Sequence, residues 1–235
     1  HAAIDVVMRR NHIHHSTMGI WCDWQAQGTR ISQNLLHDNH APENTPQAAG
    51  CMMSQDVFVE VGHGPTLIDN NVMLSKASVR IATEGVACVH NLIAGAFTAV
   101  GNGTDMNVNG VNQPRYTPYH IRHRTEVAGF MTILHGDDRF YNNIFVQKYP
   151  VKEVEVKEDM GFMMADNQVV GTDVFDEYPT YDEWISWFEM DKPADMMKMT
   201  EYHFAHLPVW VNGNAYFNGA KACKNEKCIL CNGKL

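Results

Sequence analysis

The chain has 235 residues, a formal net charge of −9, and 45% hydrophobic against 19% charged side chains. That length supplies one sizeable core without disulfide or metal staples. No apolar run reaches the length of a membrane span, no signal-peptide pattern opens the chain, and the acidic balance excludes the basic face that a nucleic-acid partner requires.

The chain opens on His1 in mid-pattern and reads as a piece of a longer protein whose earlier coils are missing. Its first recurrent signal is an Asn followed by apolar residues: Asn11-His-Ile, Asn34-Leu-Leu, Asn71-Val-Met, Asn91-Leu-Ile and Asn143-Ile-Phe. The spacings are 23, 37, 20 and 52 residues, so the second is one unit of 23 with 14 extra residues. The fourth is two units, or one unit and a long excursion. A period of about 20–25 residues with short strands and no helical periodicity predicts a stacked solenoid. Without the regular Leu spacing of a leucine-rich repeat, the expected form is an all-β parallel β-helix with long loop insertions and a short helix near the C-terminus. Chance Asn placement in a β-sandwich is the competing reading. Asn suits the corners because it tolerates the left-handed conformation, and stacked Asn side chains form ladders.

Shifting the sequence by 37 sets Ile20 on Val57, Trp21 on Phe58, Asp23 on Glu60, Thr29 on Thr66 and Asn34 on Asn71 without a gap. Strand alternation puts Trp21 and Asp23 on one face, and Phe58 and Glu60 on the same face one level away. The extra residues fall in His40–Cys51, which reads as a loop pushed out of a corner. His63 sits between two glycines beside Glu60, either contacting substrate or filling a tight turn. Ala96–Arg124 reads as a long loop closed by His120, Arg122 and His123, a polar return that reaches the mouth of the site or stays solvated.

The repeat resumes at Thr132. Asp137, Asp138 and Arg139 read as a salt-bridged structural corner rather than a calcium site. Residues 147–208 form an acidic excursion from the single domain of residues 1–235. Within it Thr180-Tyr-Asp-Glu183 is a capping box that opens a short helix. The helix carries Trp184, Trp187 and Phe188 to pack on the solenoid. Val209–Asn218 restores strand character as a final coil or extension. Of the six cysteines, Cys22, Cys51 and Cys88 read as buried free thiols. Cys223, Cys228 and Cys231 form a weak zinc signal that His203 and His206 would complete only if the chain folded back, so no metal is expected.

Equivalent positions on adjacent levels of a parallel stack lie about 4.8 Å apart, close to the roughly 5 Å carboxyl separation of a retaining glycosidase. Glu60, in the apolar run Val57-Phe-Val-Glu-Val, favours its protonated form. Asp23, near the amides of Gln25 and Gln27, favours the anion. Asp23 is thus the expected nucleophile and Glu60 the acid/base.

The runs Gly19-Ile-Trp-Cys-Asp-Trp-Gln-Ala-Gln-Gly-Thr-Arg30, Asp56-Val-Phe-Val-Glu-Val-Gly-His-Gly-Pro65 and His135-Gly-Asp-Asp-Arg-Phe-Tyr-Asn-Asn-Ile-Phe145 resemble glycoside hydrolase family 120, the β-xylosidases. The resemblance covers most of the chain. It implies a right-handed parallel β-helix paired with a smaller β-sandwich, retaining hydrolysis of β-xylosides, Asp23 as nucleophile and Glu60 as acid/base. The segments before His1 and the longer insertion between the acids depart from that pattern. On this reading the substrate is a xylo-oligosaccharide contacted by Trp21, Trp24, Gln27, His63 and His120. No cofactor, nucleic acid or membrane is implied; a homo-oligomer is left open and a cytoplasmic location slightly favoured. The rivals are a calcium-dependent β-helix polysaccharide lyase, disfavoured by the acidic charge, and a non-catalytic carbohydrate-binding β-helix.

Overall fold

A computed structural model describes residues 2–42, 54–99, 106–108, 111–113, 115–151, 168–193, 195, 197, 205–226 and 230–233. The fold is nearly all β. With strands numbered along the chain, the first parallel sheet takes Val7–Arg9 (β1), Thr29–Ser32 (β4), Thr66–Asp69 (β7), Val86–Val89 (β10), Asp138–Tyr141 (β17) and Val209–Asn212 (β19). The second takes His12–His14 (β2), Leu35–His37 (β5), Val72–Met73 (β8), Leu92–Ile93 (β11), Ile144–Val146 (β18), Ala215–Phe217 (β20) and Leu230–Gly233 (β21). The third takes Met18–Cys22 (β3), Gln55–Glu60 (β6), Ala77–Ala82 (β9) and Ala96–Ala99 (β12). The chain visits the sheets in the same cyclic order through β12, and each strand pairs with its counterpart one level on.

Alternation along each strand sends one set of side chains into a shared interior. The resulting rows are chemically uniform: Met8, Ile31, Ile68, Cys88 and Phe140 in the first sheet, and Ile13, Leu36, Met73, Ile93, Phe145 and Tyr216 in the second. Ile20, Val57, Val79 and Phe97 line the third. Residues of all three sheets belong to one hydrophobic cluster; each fully buried aliphatic or aromatic side chain contributes about 1.5–3 kcal/mol.

The recurrent asparagines form a continuous column at the corner between the first and second sheets. Asn34 Oδ1 accepts from Asn11 N and Nδ2 at 3.0 and 2.9 Å. The same pair of bonds joins Asn34 to Asn71, Asn71 to Asn91 and Asn91 to Asn143. Asn214 is a further rung that the sequence pattern did not single out. Beyond it the carboxylate Oε1 of buried Glu226 takes the acceptor position, at 2.9 and 3.1 Å. The left-handed residue is not the column asparagine but the one before it: Arg10, Gln33, Asn70, His90, Asn142 and Gly213 all have positive φ, between 55° and 71°. Asn is selected here for its amide, and its neighbour bears the backbone strain.

Several expectations are corrected. Ala96–Arg124 is not one loop: β12 extends the third sheet, Met106–Val108 (β13) pairs with Val111–Gln113 (β14), and Arg115–His120 (β15) pairs antiparallel with Val127–Ile133 (β16). The 52-residue spacing from Asn91 to Asn143 is therefore one level plus an excursion that includes these hairpins. In the charged corner Arg139 pairs with Asp137 at 3.0 Å, while Asp138 turns inward. Its Oδ1 accepts from Val86 N at 2.8 Å, and burial pushes its carboxyl well above the usual range. The capping box is present, Glu183 N donating to Thr180 Oγ1 and Thr180 N to Glu183 Oε2, and it opens helix α1, Tyr181–Ser186. No residue of the helix is buried; Tyr181 stacks on Trp210, which in turn sits beneath the Arg139 guanidinium. Phe175, ahead of the helix, does enter the core against Phe140. Most of the His40–Cys51 insertion, much of the acidic excursion, and Cys51, Cys228 and His203 lie outside the described residues. Cys22 and Cys88 are buried thiols as expected. Among the described residues no helix is long and apolar enough to cross a membrane.

Asn71→Ala should destabilise by about 2–4 kcal/mol in urea denaturation, because it strands two buried donors of Asn34 and removes the side-chain donor to Asn91 Oδ1 and Ile31 O. Asn11→Ala, at the exposed end of the column, should cost under about 1 kcal/mol. Asp138 supplies a pH test. A carboxyl whose folded pKa exceeds its unfolded value of about 3.9 loses stability as pH rises above that value. The melting temperature of Asp138→Asn relative to the native chain should therefore climb from about pH 4 towards neutrality.

Candidate functional site

The two acids sit where the third sheet ends and the chain turns towards the next level of the first. The 37-residue register holds on both sides of them: Trp21 pairs with Phe58 and Cys22 with Val59 before, and Thr29 with Thr66 after. Between these, Gln25 N donates to Val61 O at 2.9 Å in the same register. Asp23 and Glu60 are therefore register mates on neighbouring levels. Glu60 closes β6 and is 7% exposed, whereas Asp23 follows β3 in a tight turn, its carbonyl accepting from Ala26 N, and is half-buried.

An aromatic shelf adjoins the acids. The Trp21 and Phe58 rings stack with centroids 6.0 Å apart and planes 17° from parallel. Phe58 is buried, but Trp21 keeps 43% of its surface exposed, and its indole N–H donates to Glu60 Oε2 at 3.3 Å. The neutral indole can donate to a carboxylate or to the carbonyl oxygen of a protonated carboxyl, so the contact orients Glu60 without dictating its charge. Beyond Phe58 the row continues to buried Arg80. Trp24 is half-buried in the turn, its carbonyl accepting from Ala2 N. Gln27 is held by its backbone, bridging to Ile4 on the preceding level.

Two predicted contact residues, His63 and His120, are buried. The His63 side chain is 1% exposed, edge-on to Tyr119 at 5.7 Å, with Nδ1 3.2 Å from Glu84 Oε1. Glu84 Oε2 also accepts from Leu134 N at 3.0 Å, tying the turn after β6 to the far end of β16. His120 is 2% exposed, not solvated. Its Nδ1 lies 3.0 Å from Thr125 O and its Nε2 3.2 Å from Gln25 Oε1. With Nδ1–H donating to the carbonyl, the second bond requires either an imidazolium or a Gln25 amide turned to present its NH2. His123 is exposed and pairs with Asp5 at 2.8 Å. The β15–β16 hairpin thus brings His120 and Tyr119 against the turns that follow the two acids. Sequence reasoning missed Glu84, Tyr119 and the Gln25–His120 contact, since a separation of 95 residues leaves no local pattern.

Cys22, inward of the acids, has its thiol pushed up to about 11 by burial, which removes it as a nucleophile. Among the described residues no group of three or more His, Cys, Asp or Glu side chains could hold a metal ion. A cleft of about 480 Å3 lined by Tyr178, Glu183, Trp187, His206 and Lys224 includes neither acid. Burial holds its His206 at about 4. The backbone register, not a concavity, brings the two acids to adjacent levels.

No protein-family model matches the chain, and no curated protein matches it. Among solved structures it is similar to XylC, determined as a complex with xylose, at 37% identity and a TM-score of 0.69 over 98% of this chain. This chain spans 30% of the length of that one.

Replacing Glu84 should show how firmly the hairpin is fastened. Glu84→Ala leaves the Leu134 N–H and the His63 ring without their acceptor and should cost about 2–3 kcal/mol. Hydrogen exchange across 115–120 and 127–133 should accelerate in parallel. Glu84→Gln, which keeps an acceptor for one of the two, should lose about half as much.

Proposed function

We propose that this chain carries the two acids of a retaining glycosidase acting on β-xylosides, on a right-handed parallel β-helix whose three sheets are successive faces of one coil. The observation that carries the reading is the register-fixed pairing of Asp23 with Glu60 beside an exposed tryptophan. The likeness to a protein solved with xylose supports the choice of sugar. The described elements on either side of residues 152–167 join the same sheets, which supports a single domain with an acidic excursion.

In the proposed reaction the Glu60 carboxyl donates its proton to the glycosidic oxygen as the Asp23 carboxylate attacks the anomeric carbon, and the C–O bond to the leaving alcohol breaks. Glu60, now ionised, removes a proton from water; the water oxygen attacks the same carbon and displaces Asp23. Two inversions give net retention. Trp21 and Trp24 supply apolar surface for the sugar ring and Gln27 a polar edge. His63 and His120 act from behind, His120 through Gln25 and His63 by fixing the turn after Glu60.

A 2-deoxy-2-fluoro-β-xyloside with a good leaving group should label the peptide containing Asp23, detected by mass spectrometry, and Asp23→Ala should abolish both label and turnover, by more than about 1,000-fold, while the circular dichroism spectrum is unchanged. Glu60→Gln should slow substrates with poor leaving groups far more than activated aryl xylosides. Label on another residue, or an inverted first product by proton NMR, would overturn the assignment.

A further inference from the structure

The cleft beside helix α1 has no part in the chemistry above. Its volume of about 480 Å3 falls within the roughly 300–1,000 Å3 of small-ligand sites. Its floor is the buried Tyr178 ring, with His206 stacked on it at 3.9 Å and 23° from parallel. Leu207 N donates to His135 O at 2.8 Å and Val209 N to Pro179 O at 3.2 Å, which pins the segments carrying His206 and Tyr178 to the corner before β19. Trp187, the residue that ends α1, lines the cleft and is half-buried there instead of entering the solenoid core. The cleft shares a corner with the acids. Glu60 enters the turn from the third sheet to the first on the second level, and Glu84, Gly136 and Leu207 stand in that turn on the next three. Three levels set His206 about 14 Å from Glu60 along the stack, at the Glu84 end of the β15–β16 hairpin.

The lining selects the ligand. Asp176, Glu177 and Glu183 face the cleft against one ammonium, Lys224, a balance that disfavours an anion. Two of the carboxylates are already engaged. Asp176 Oδ1 accepts from Lys224 N at 2.8 Å, and Glu183 Oε2 accepts from Thr180 N and Oγ1 at 2.7 and 2.9 Å. Those bonds hold Glu183 as an anion, and both fall on one oxygen, so Oε1 can accept a hydroxyl. Lys224 is near enough to support that charge, yet the two form no ion pair among the described residues. Its ammonium opposes an amine ligand, and burial keeps His206 uncharged at neutral pH. An indole face beside anionic acceptors, an ammonium donor and a neutral imidazole fits an uncharged ring with an apolar face and a rim of hydroxyls. We propose that this cleft is a second, non-catalytic site for a neutral oligosaccharide, with Trp187 stacking on one sugar ring and Glu177, Glu183 and Lys224 bonding its hydroxyls. That the sugar is xylose rests on the function proposed above; the preference for a neutral polyol rests on the lining alone. Such a site holds a xylan chain near the acids without occupying them.

The test is titration of the 15N-labelled full chain, carrying Asp23→Ala so that no sugar is consumed, with xylohexaose at pH 7.5. In proton–nitrogen NMR spectra the Trp187 indole N–H reports the cleft and the Trp21 indole N–H the acid site. Xylohexaose should shift the Trp187 signal together with the backbone signals of Glu177, His206 and Lys224. Glu177→Gln and Lys224→Ala should each weaken that response about 3-fold, and Trp187→Ala, read at Glu177 and Lys224, about 10-fold. Glu177 and Lys224 are exposed, so their variants should keep the native circular dichroism spectrum and the Trp21 response. If the Trp187 signal moves and the Trp21 signal does not, the cleft is upheld and the binding expected beside the acids is what fails. The proposal is overturned if the Trp21 signal moves alone, if spermidine moves the Trp187 signal and xylohexaose does not, or if the response at Glu177 survives Trp187→Ala and Lys224→Ala combined.

Discussion

A column of asparagine amides holds the levels of this protein in register. Each Oδ1 accepts two donors from the rung before it, and each Nδ2 also reaches a backbone carbonyl of the preceding level, as Asn71 does to Ile31 O at 2.9 Å. The arrangement satisfies donors and acceptors that the corner would otherwise bury unpaired, and it works only if successive rungs rise by one strand spacing. It also needs a left-handed residue before every rung, a conformation that costs Arg10, Gln33 and His90 of order 1 kcal/mol each. That the chain tolerates three such residues measures how strongly the column over-determines the corner. Glu226 ends it with a carboxylate that also receives the Tyr216 hydroxyl, closing the polar column against the apolar one.

With the levels fixed, long insertions become harmless to the interior. The extra residues between Asn34 and Asn71 leave after β5, and the hairpins leave after β12. In both cases the next strand returns to the same register, as the pairings β3–β6 and β10–β17 show. The proposed catalytic pair depends on this. Asp23 and Glu60 are separated by a whole level and an insertion, yet the register on both sides confines them to adjacent positions. Trp21 and Phe58, two residues earlier, are stacked by the same constraint.

The outer faces differentiate what the inner rows keep uniform. On the third sheet the outward row carries Trp21, Phe58, Arg80 and the acids, and the β15–β16 hairpin closes against the turns that follow them through Glu84, His63 and His120. On the second sheet the outward row of the first two levels carries His12, His14 and His37. Both groupings arise because parallel in-register strands set like positions side by side, so short sequence signals on different levels become clusters.

The sequence by itself was enough for the repeat, its offset of 37 residues, the parallel stacking of short strands, the buried thiols Cys22 and Cys88 and the capping box at Thr180, because each is written in local spacing or in the comparison of one level with the next. It placed Asp23 opposite Glu60 for the same reason. Tertiary structure alone decided the rest. The left-handed position fell before each asparagine because the amide, not the backbone, was needed at the rung. Asp138 turned inward to accept from Val86 N where its neighbours suggested a surface ion pair. His63 was buried against, and His120 within, a hairpin whose antiparallel pairing has no counterpart in the repeat. These outcomes depend on contacts between residues tens of positions apart, and no periodicity along the chain encodes which of them an excursion will meet.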